Sequence, residues 1–302
     1  MSKTFDANDR FVRAIGADRN FDAAVTSYLE AFVTWRRGLG GYNKVISSGA
    51  RRRIMKSILC LHFGNATENP DDGATFERLL NQSSRVEACG PRVLRTVISL
   101  ANRSGHLLVQ RGWFDRRLKI LRPTDKWIAQ EAERHEVALE SLGLLAQDRS
   151  RFALRPRGAA LVGKLAVLAG RSDGSAGVFL GDPDAGMRAI EALDGGLATA
   201  FAVADAWQRG KRPPSHKEIG ASFRLSASQA RKILRLAADY ALVAFDREGK
   251  ISDAGGLLAE CRRLVAHEFA LYARCIAPFE GAPADPILAP GLVVQRSPEH
   301  AH

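Results

Sequence analysis

Between Pro91 and Lys126 the spacing of apolar positions changes period twice. Val93, Val97, Leu100 and Ala101 recur at helical intervals, while Arg92, Arg95, Ser99 and Asn102 take the other face. Pro91 suits a first helical turn, where its missing N–H costs nothing, and Gly105 is a stop signal. His106 to Gln110 reads as a short strand, Trp113-Phe114-Asp115-Arg116-Arg117 as a charged turn, and Leu118 to Leu121 as the returning strand. Thr124 then caps a helix through Trp127, Ile128, Ala132, Val137, Leu139, Leu142 and Leu144. A basic helix followed by a basic hairpin is the shape of a winged helix-turn-helix.

Upstream, Phe11, Val12 and Ile15 suit a short helix. Ala24, Val25, Tyr28, Leu29, Phe32 and Val33 make an apolar stripe ended by Gly38, Gly40 and Gly41, so this segment is either a core helix or a dimerisation helix. Ser47 or Ser48 can cap a helix over Ala50 to Phe63, with Ile54, Ile58, Leu59 and Leu61 inward. Arg51, Arg52, Arg53 and Lys56 lie near its start, where positive charge opposes the helix dipole; a solvated face is expected to tolerate them, and a bound phosphate is the alternative. Gly64 to Gly73 is loop by composition, Phe76 to Leu80 the first helix of the helix-turn-helix, and Ser83 to Gly90 its long turn. Arg149, Arg151, Arg155 and Arg157 surround Phe152 and Leu154 in what reads as a further strand or wing. Gly158 to Ala169 is a small-residue packing helix, and Arg171 to Gly186 a loop.

The second half repeats the first. Arg95 aligns with Arg231, 136 positions on, which sets Leu100 beside Leu236, Ala101 beside Ala237 and Arg111 beside Arg247. Ser215 with Glu218, and Ser226 with Gln229, each read as a capping box opening a helix, with Arg224-Leu225 as the tight turn between the two helices. Asp246-Arg-Glu-Gly-Lys250 is a turn between short strands, and Ala254 to Ile276 a long helix through Leu257, Cys261, Leu264 and Phe269. The expected fold is mostly α with small β-hairpin wings: two winged helix-turn-helix units packed through long helices. Its parts are residues 1–145, a connecting segment 146–186, a second unit 187–278 and a mobile tail 279–302.

The first wing resembles that of the MarR family of bacterial transcriptional regulators. The resemblance rests on Asp115, Arg116 and Arg117, on Lys119 four positions after the Asp, and on Thr124 with Lys126. The family wing reads as an Asp followed by Arg residues, a strand, then Leu-Thr-x-Lys-Gly; here Pro123 stands in the Leu position and Trp127 in the Gly position. The match spans roughly residues 20 to 142. It implies a symmetric DNA-binding dimer whose N-terminal helices make the dimer interface, and a chain with two units would imitate that dimer by itself or pair as a homodimer.

Composition narrows the partners. A chain of 302 residues, 46% hydrophobic and 25% charged, is long enough for two folded domains. No apolar run reaches the roughly 20 residues of a membrane span, and the N-terminus has no signal-peptide core, so a cytoplasmic location and no membrane partner are expected. Cys60, Cys89, Cys261 and Cys275 show no metal-type spacing and read as reduced thiols, with Cys89 an alternative oxidant sensor. His62, His106, His135, His216 and His267 are dispersed, and no catalytic motif, metal site or cofactor site is expected.

The net charge of +11 matters through its placement. Arg92, Arg95, Arg103, Arg111, Arg116, Arg117, Lys119 and Arg122 cluster on the first unit against few acids, which favours a polyanion docking there. Double-stranded DNA is the expected partner, bound by a sequence-specific regulator. Arg92, Arg95, Ser228 and Arg231 are expected at base edges, Arg116, Arg117 and Lys250 at wing tips, and Ser99, Lys119, Lys232 and Arg235 on the surrounding faces. A plasmid-type replication initiator with two winged helices and a protein-binding scaffold are the alternatives. Nothing in the sequence identifies a small-molecule effector.

Overall fold

A computed structural model describes residues 12–64, 71–85, 90–145, 157–171 and 184–276. The strand or wing expected around Phe152 and Leu154, most of the loop after Arg171, Phe11, Cys89 and the tail lie outside the described residues. In the first half, helices α1 (Phe21–Gly38), α2 (Tyr42–Val45) and α3 (Gly49–Gly64) lead into strand β1 (Ala74–Thr75) and helices α4 (Phe76–Arg85) and α5 (Pro91–Arg103). Strands β2 (Leu107–Arg111) and β3 (Lys119–Pro123) follow, then helices α6 (Asp125–Leu142) and α7 (Gly158–Arg171). The second half comprises α8 (Ala185–Ala192), α9 (Gly196–Gln208), α10 (His216–Phe223), α11 (Ala227–Asp239), β4 (Ala244–Phe245), β5 (Ile251–Asp253) and α12 (Gly255–Ile276). The protein is mostly helical, with two small antiparallel sheets of order β1-β3-β2 and β4-β5.

Buried apolar residues form one cluster from Val12 to Ala273, so the halves share a core. Its axis is α9, in which every residue from Gly196 to Ala206 is buried. The helix α1 packs against α9, α6 and α12, burying Phe21, Val25, Tyr28, Leu29 and Phe32. The stripe expected for α1 is therefore core, shared between elements of both halves. A polar seam crosses this core where α6 meets α12. Arg134 Nη1 donates to Glu268 Oε1 at 2.9 Å and Arg134 Nε to Glu131 Oε2 at 3.1 Å. Tyr28 donates to Glu268 at 2.5 Å, and Tyr272 hydroxyl bonds His135 Nδ1 at 2.5 Å.

The helices α5 and α11 coincide under the 136-residue offset from end to end, each 13 residues long. Leu94, Val97 and Ala101 are buried in the first, and Ala230, Ile233 and Ala237 in the second. Both close through the same left-handed cap: His106 N–H donates to Ala101 C=O and Leu242 N–H to Ala237 C=O, each at 2.9 Å. The left-handed residue is Gly105 (φ +72°) in one and Ala241 (φ +56°) in the other. Alanine is strained there by roughly 1–2 kcal/mol. Ala241→Gly is expected to raise stability by about 0.5–1 kcal/mol in urea unfolding, after the greater chain entropy of glycine is subtracted. Gly105→Ala should lower it by a similar amount, since a Cβ at Gly105 meets nothing within 4 Å and only the backbone penalty remains.

Several local expectations change. The buried edge of α5 begins at Leu94, while Val93 is 37% exposed, one residue off the face that meets the core. Ser226 accepts from Gln229 N–H, but the Gln229 amide donates to the Asp194 carbonyl instead of returning, so only half a box forms; at Ser215 both halves are present. Arg51 and Arg52 do not lie on an open solvated face. They pair with Asp194 at 3.7 Å and Glu191 at 3.0 Å from the second half, and Ser47 donates to Asp194 at 2.6 Å. The two-residue strand β1, in the gap between the stretches read as loop and helix, pairs with β3 through Ala74–Leu121 and Thr75–Ile120.

Candidate nucleic-acid interface

Helix α5 is a lever pressed into the core along Leu94, Val97 and Ala101, which leaves Arg92, Arg95, Thr96, Ser99, Asn102 and Arg103 facing outward. Its N-terminus is set by Gly90 in extended conformation and Pro91 in the first turn. The Arg95 guanidinium lies 5.4 Å over the Phe76 ring of α4, which restricts a long side chain at little desolvation cost.

The hairpin beyond α5 pairs β2 with β3 in register from Leu107–Pro123 to Arg111–Lys119. The last pair places two cations directly across the strands, an arrangement that repels itself unless an anion lies beside it. The tip is held from a distance. Asp71 accepts the backbone N–H groups of Trp113, Phe114 and Asp115 at 2.5, 2.9 and 3.0 Å. Burial alone would raise the Asp71 carboxyl; these three donors, with the charge of Arg122, hold it below its ordinary value. Asp115 accepts from Arg117 N–H, so its charge serves the turn. Gly112 is required here, because a Cβ would stand 2.4 Å from the Asp115 carbonyl oxygen and 2.9 Å from Asp71 Oδ2. So braced, the tip exposes Trp113 at 80% and Phe114 at 74%, beside exposed Arg116 and Arg117.

The second half presents a comparable helix and a different hairpin. Ser228, Arg231, Lys232 and Arg235 are all exposed on α11, and Arg231 bonds His216 Nε2 at 3.2 Å. Lys250, expected at a wing tip, is exposed but forms an ion pair with Glu248 at 2.5 Å, and Asp246 caps the same turn through the N–H groups of Glu248 and Lys250. This tip is short and charge-balanced.

All eleven residues singled out in the sequence are thus on the surface, in two groups: Arg92, Arg95, Ser99, Arg116, Arg117 and Lys119 on α5 and the first hairpin, and Ser228, Arg231, Lys232, Arg235 and Lys250 on α11 and the second. Sequence reading missed Asp71, which shares no local pattern with a turn more than 40 residues away. Among the described residues no group of His, Cys, Asp or Glu could hold a metal ion, and no helix is long and apolar enough to cross a membrane. Cys60 and Cys261 are free thiols, the former pushed up to about 11 by burial. No family model, curated protein or solved structure matches this chain.

Proposed function

We propose that the chain is a sequence-specific double-stranded DNA-binding transcriptional regulator built of two winged helix-turn-helix units, the first of them MarR-like. The order α3-β1-α4-α5-β2-β3 with sheet order β1-β3-β2, and α10-α11-β4-β5 after it, supports the architecture. One observation carries the function. Elsewhere several cations pair with acids, as in Arg51–Asp194, Arg52–Glu191, Arg134–Glu268 and Arg212–Glu218, while scattered exposed ones such as Arg37, Lys217 and Arg224 form no ion pair with a described residue. On α5 and its hairpin, Arg92, Arg95, Arg103, Arg111, Arg116, Arg117 and Lys119 form no ion pair with any described residue, and the same holds for Lys232 and Arg235 on α11. Unmatched positive charge on one helix face and one hairpin suits a phosphate backbone.

On this reading α5 and α11 enter major grooves, and the first hairpin lies against backbone or minor groove. Their outward residues differ, Arg92-Val-Leu-Arg95 against Ser228-Gln-Ala-Arg231, so a chain acting as its own dimer should select an imperfect palindrome. Selection of bound sequences from a random duplex pool gives the site and its symmetry. Arg95→Ala or Arg231→Ala should then weaken specific binding by about 1–3 kcal/mol and relax preference at one base step, whereas Arg117→Ala weakens all duplexes alike. Equal losses on selected and random duplex for all three substitutions would refute the assignment.

A further inference from the structure

The tip of the first hairpin carries the two most exposed large apolar side chains among the described residues, Trp113 at 80% and Phe114 at 74%. By contrast Trp35 and Trp127 are buried, and Trp207 is half-buried. Neither exposed ring stacks on another ring or on a cation among the described residues. A turn between short strands ordinarily takes Gly, Asn, Asp or Ser, as the second tip does at Asp246 and Gly249, so two aromatic residues in water need a reason. The turn is also stiffer than a connection requires. Asp71, 42 residues upstream of Trp113, accepts the N–H groups of Trp113, Phe114 and Asp115. Gly112 N–H donates to the Leu118 carbonyl and Leu118 N–H to the Asp115 carbonyl, each at 3.0 Å. These bonds fix the backbone that carries both rings before any partner arrives, so little ordering cost remains at binding.

Charge selects the partner. Arg111, Arg116, Arg117 and Lys119 flank the rings, none in an ion pair with a described residue, and the Asp115 carboxylate is taken up by the Arg117 N–H. A nucleic acid answers both chemistries at once, with phosphates for the cations and planar base faces for the rings. A lipid surface fits less well, because a single turn offers far less apolar area than the amphipathic helix such a surface usually holds. We propose that Trp113 and Phe114 form a wedge that enters the minor groove next to the major groove taken by α5, stacks on one base step and kinks the duplex there. The wedge rests on the duplex-DNA reading above and adds to it a source of sequence choice. Unstacking is easiest at pyrimidine–purine steps, so the tip selects such a step without a hydrogen bond to any base edge.

The test compares the full wild-type chain with a double variant, Trp113→Ala with Phe114→Ala, on the duplex that the wild type selects from a random pool. Anisotropy reports affinity, and energy transfer between dyes on the two duplex ends reports bending. Wild-type protein should raise the transfer at saturation, whereas the double variant should bind about tenfold more weakly and leave the saturated duplex as straight as the free one. The slope of log affinity against log salt should stay the same in the double variant, since the rings neutralise no phosphate. Selection repeated with that variant should lose the enriched pyrimidine–purine step. Duplex should also quench part of the wild-type tryptophan emission, and Trp113→Phe should abolish that quenching while keeping the kink. A straight duplex under wild-type protein, or a kink that survives the double substitution, would overturn the wedge and leave the DNA reading intact. A shallower salt slope in the double variant would trace its loss to phosphate contacts and overturn the wedge too. Absence of wild-type binding to any duplex at about 50 mM salt would remove the DNA reading itself. Emission quenched by phosphatidylglycerol vesicles carrying a brominated acyl chain, and not by duplex, would give the tip to a lipid surface.

Discussion

Glu268→Ala is expected to remove about 3–5 kcal/mol of unfolding free energy at pH 7, the usual cost of taking one partner from a buried ion pair. The reason lies in how much converges on that carboxylate. Glu268 is 1% exposed and accepts from Arg134, Tyr28 and Tyr272. Without it the Arg134 guanidinium keeps Glu131 and the Tyr272 hydroxyl keeps His135, but the Tyr28 hydroxyl loses its acceptor and Arg134 loses half its charge balance. Changing Glu131, Arg134 and Glu268 together to apolar residues of similar volume should cost far less, because no charge is then left buried. Urea unfolding of the single and triple variants decides this, and a Glu268→Ala loss below about 1 kcal/mol would mean that water reaches the seam.

The same seam fixes an acid limit. Burial, then the charges of Arg134 and Lys56, hold His135 neutral with a folded pKa well below its ordinary value. A depressed histidine binds fewer protons folded than unfolded, so its contribution is whole above the unfolded pKa of about 6.5 and is lost as pH falls below that. Stability measured from pH 7.5 down to 5 should therefore decline, and His135→Gln should show a shallower decline.

What was legible in the sequence was whatever a local pattern encodes. The ends of α5 and α11 follow from Pro91, Gly105, Ser226 and the 3.6-residue period, and the first hairpin from its charged turn. The helix α9 left no such mark: Gly-Leu-Ala-Thr-Ala-Phe-Ala-Val-Ala is apolar on every side, so it has no face to show and its sequence does not say what surrounds it. The seam was illegible for a different reason. Tyr28, Arg134 and Glu268 are separated by more than 100 residues each, and only the assembled core makes an isolated arginine on α6 into a buried one. Arg51 and Arg52 misled similarly, because Asp194 and Glu191 reach them from a region where no element was expected. At the candidate interface, the residue types were readable, while the brace of Asp71 and the neutralising of Lys250 by Glu248 were not.

Affinity for duplex DNA should fall by about 10³–10⁵ between 50 and 200 mM salt if some 6–10 phosphates are neutralised. The seven unmatched cations of α5 and its hairpin reach only the lower part of that range by themselves, and since the second hairpin tip is charge-balanced, α11 must supply the rest. The slope of log affinity against log salt thus counts contacts. Each lost phosphate contact reduces it by about 0.9, so joint replacement of Arg231, Lys232 and Arg235 by alanine should make it shallower by nearly 3 if α11 lies on DNA. Were only α5 and the first hairpin in contact, that triple variant would keep the wild-type slope, while Arg116→Ala with Arg117→Ala would still lower it by about 2. A wild-type response that is nearly flat would instead fit a protein-binding scaffold, because desolvated protein contacts release few counterions. Measured by fluorescence anisotropy on the selected site, the two slopes separate a chain that acts as its own dimer from one whose second unit serves only as packing.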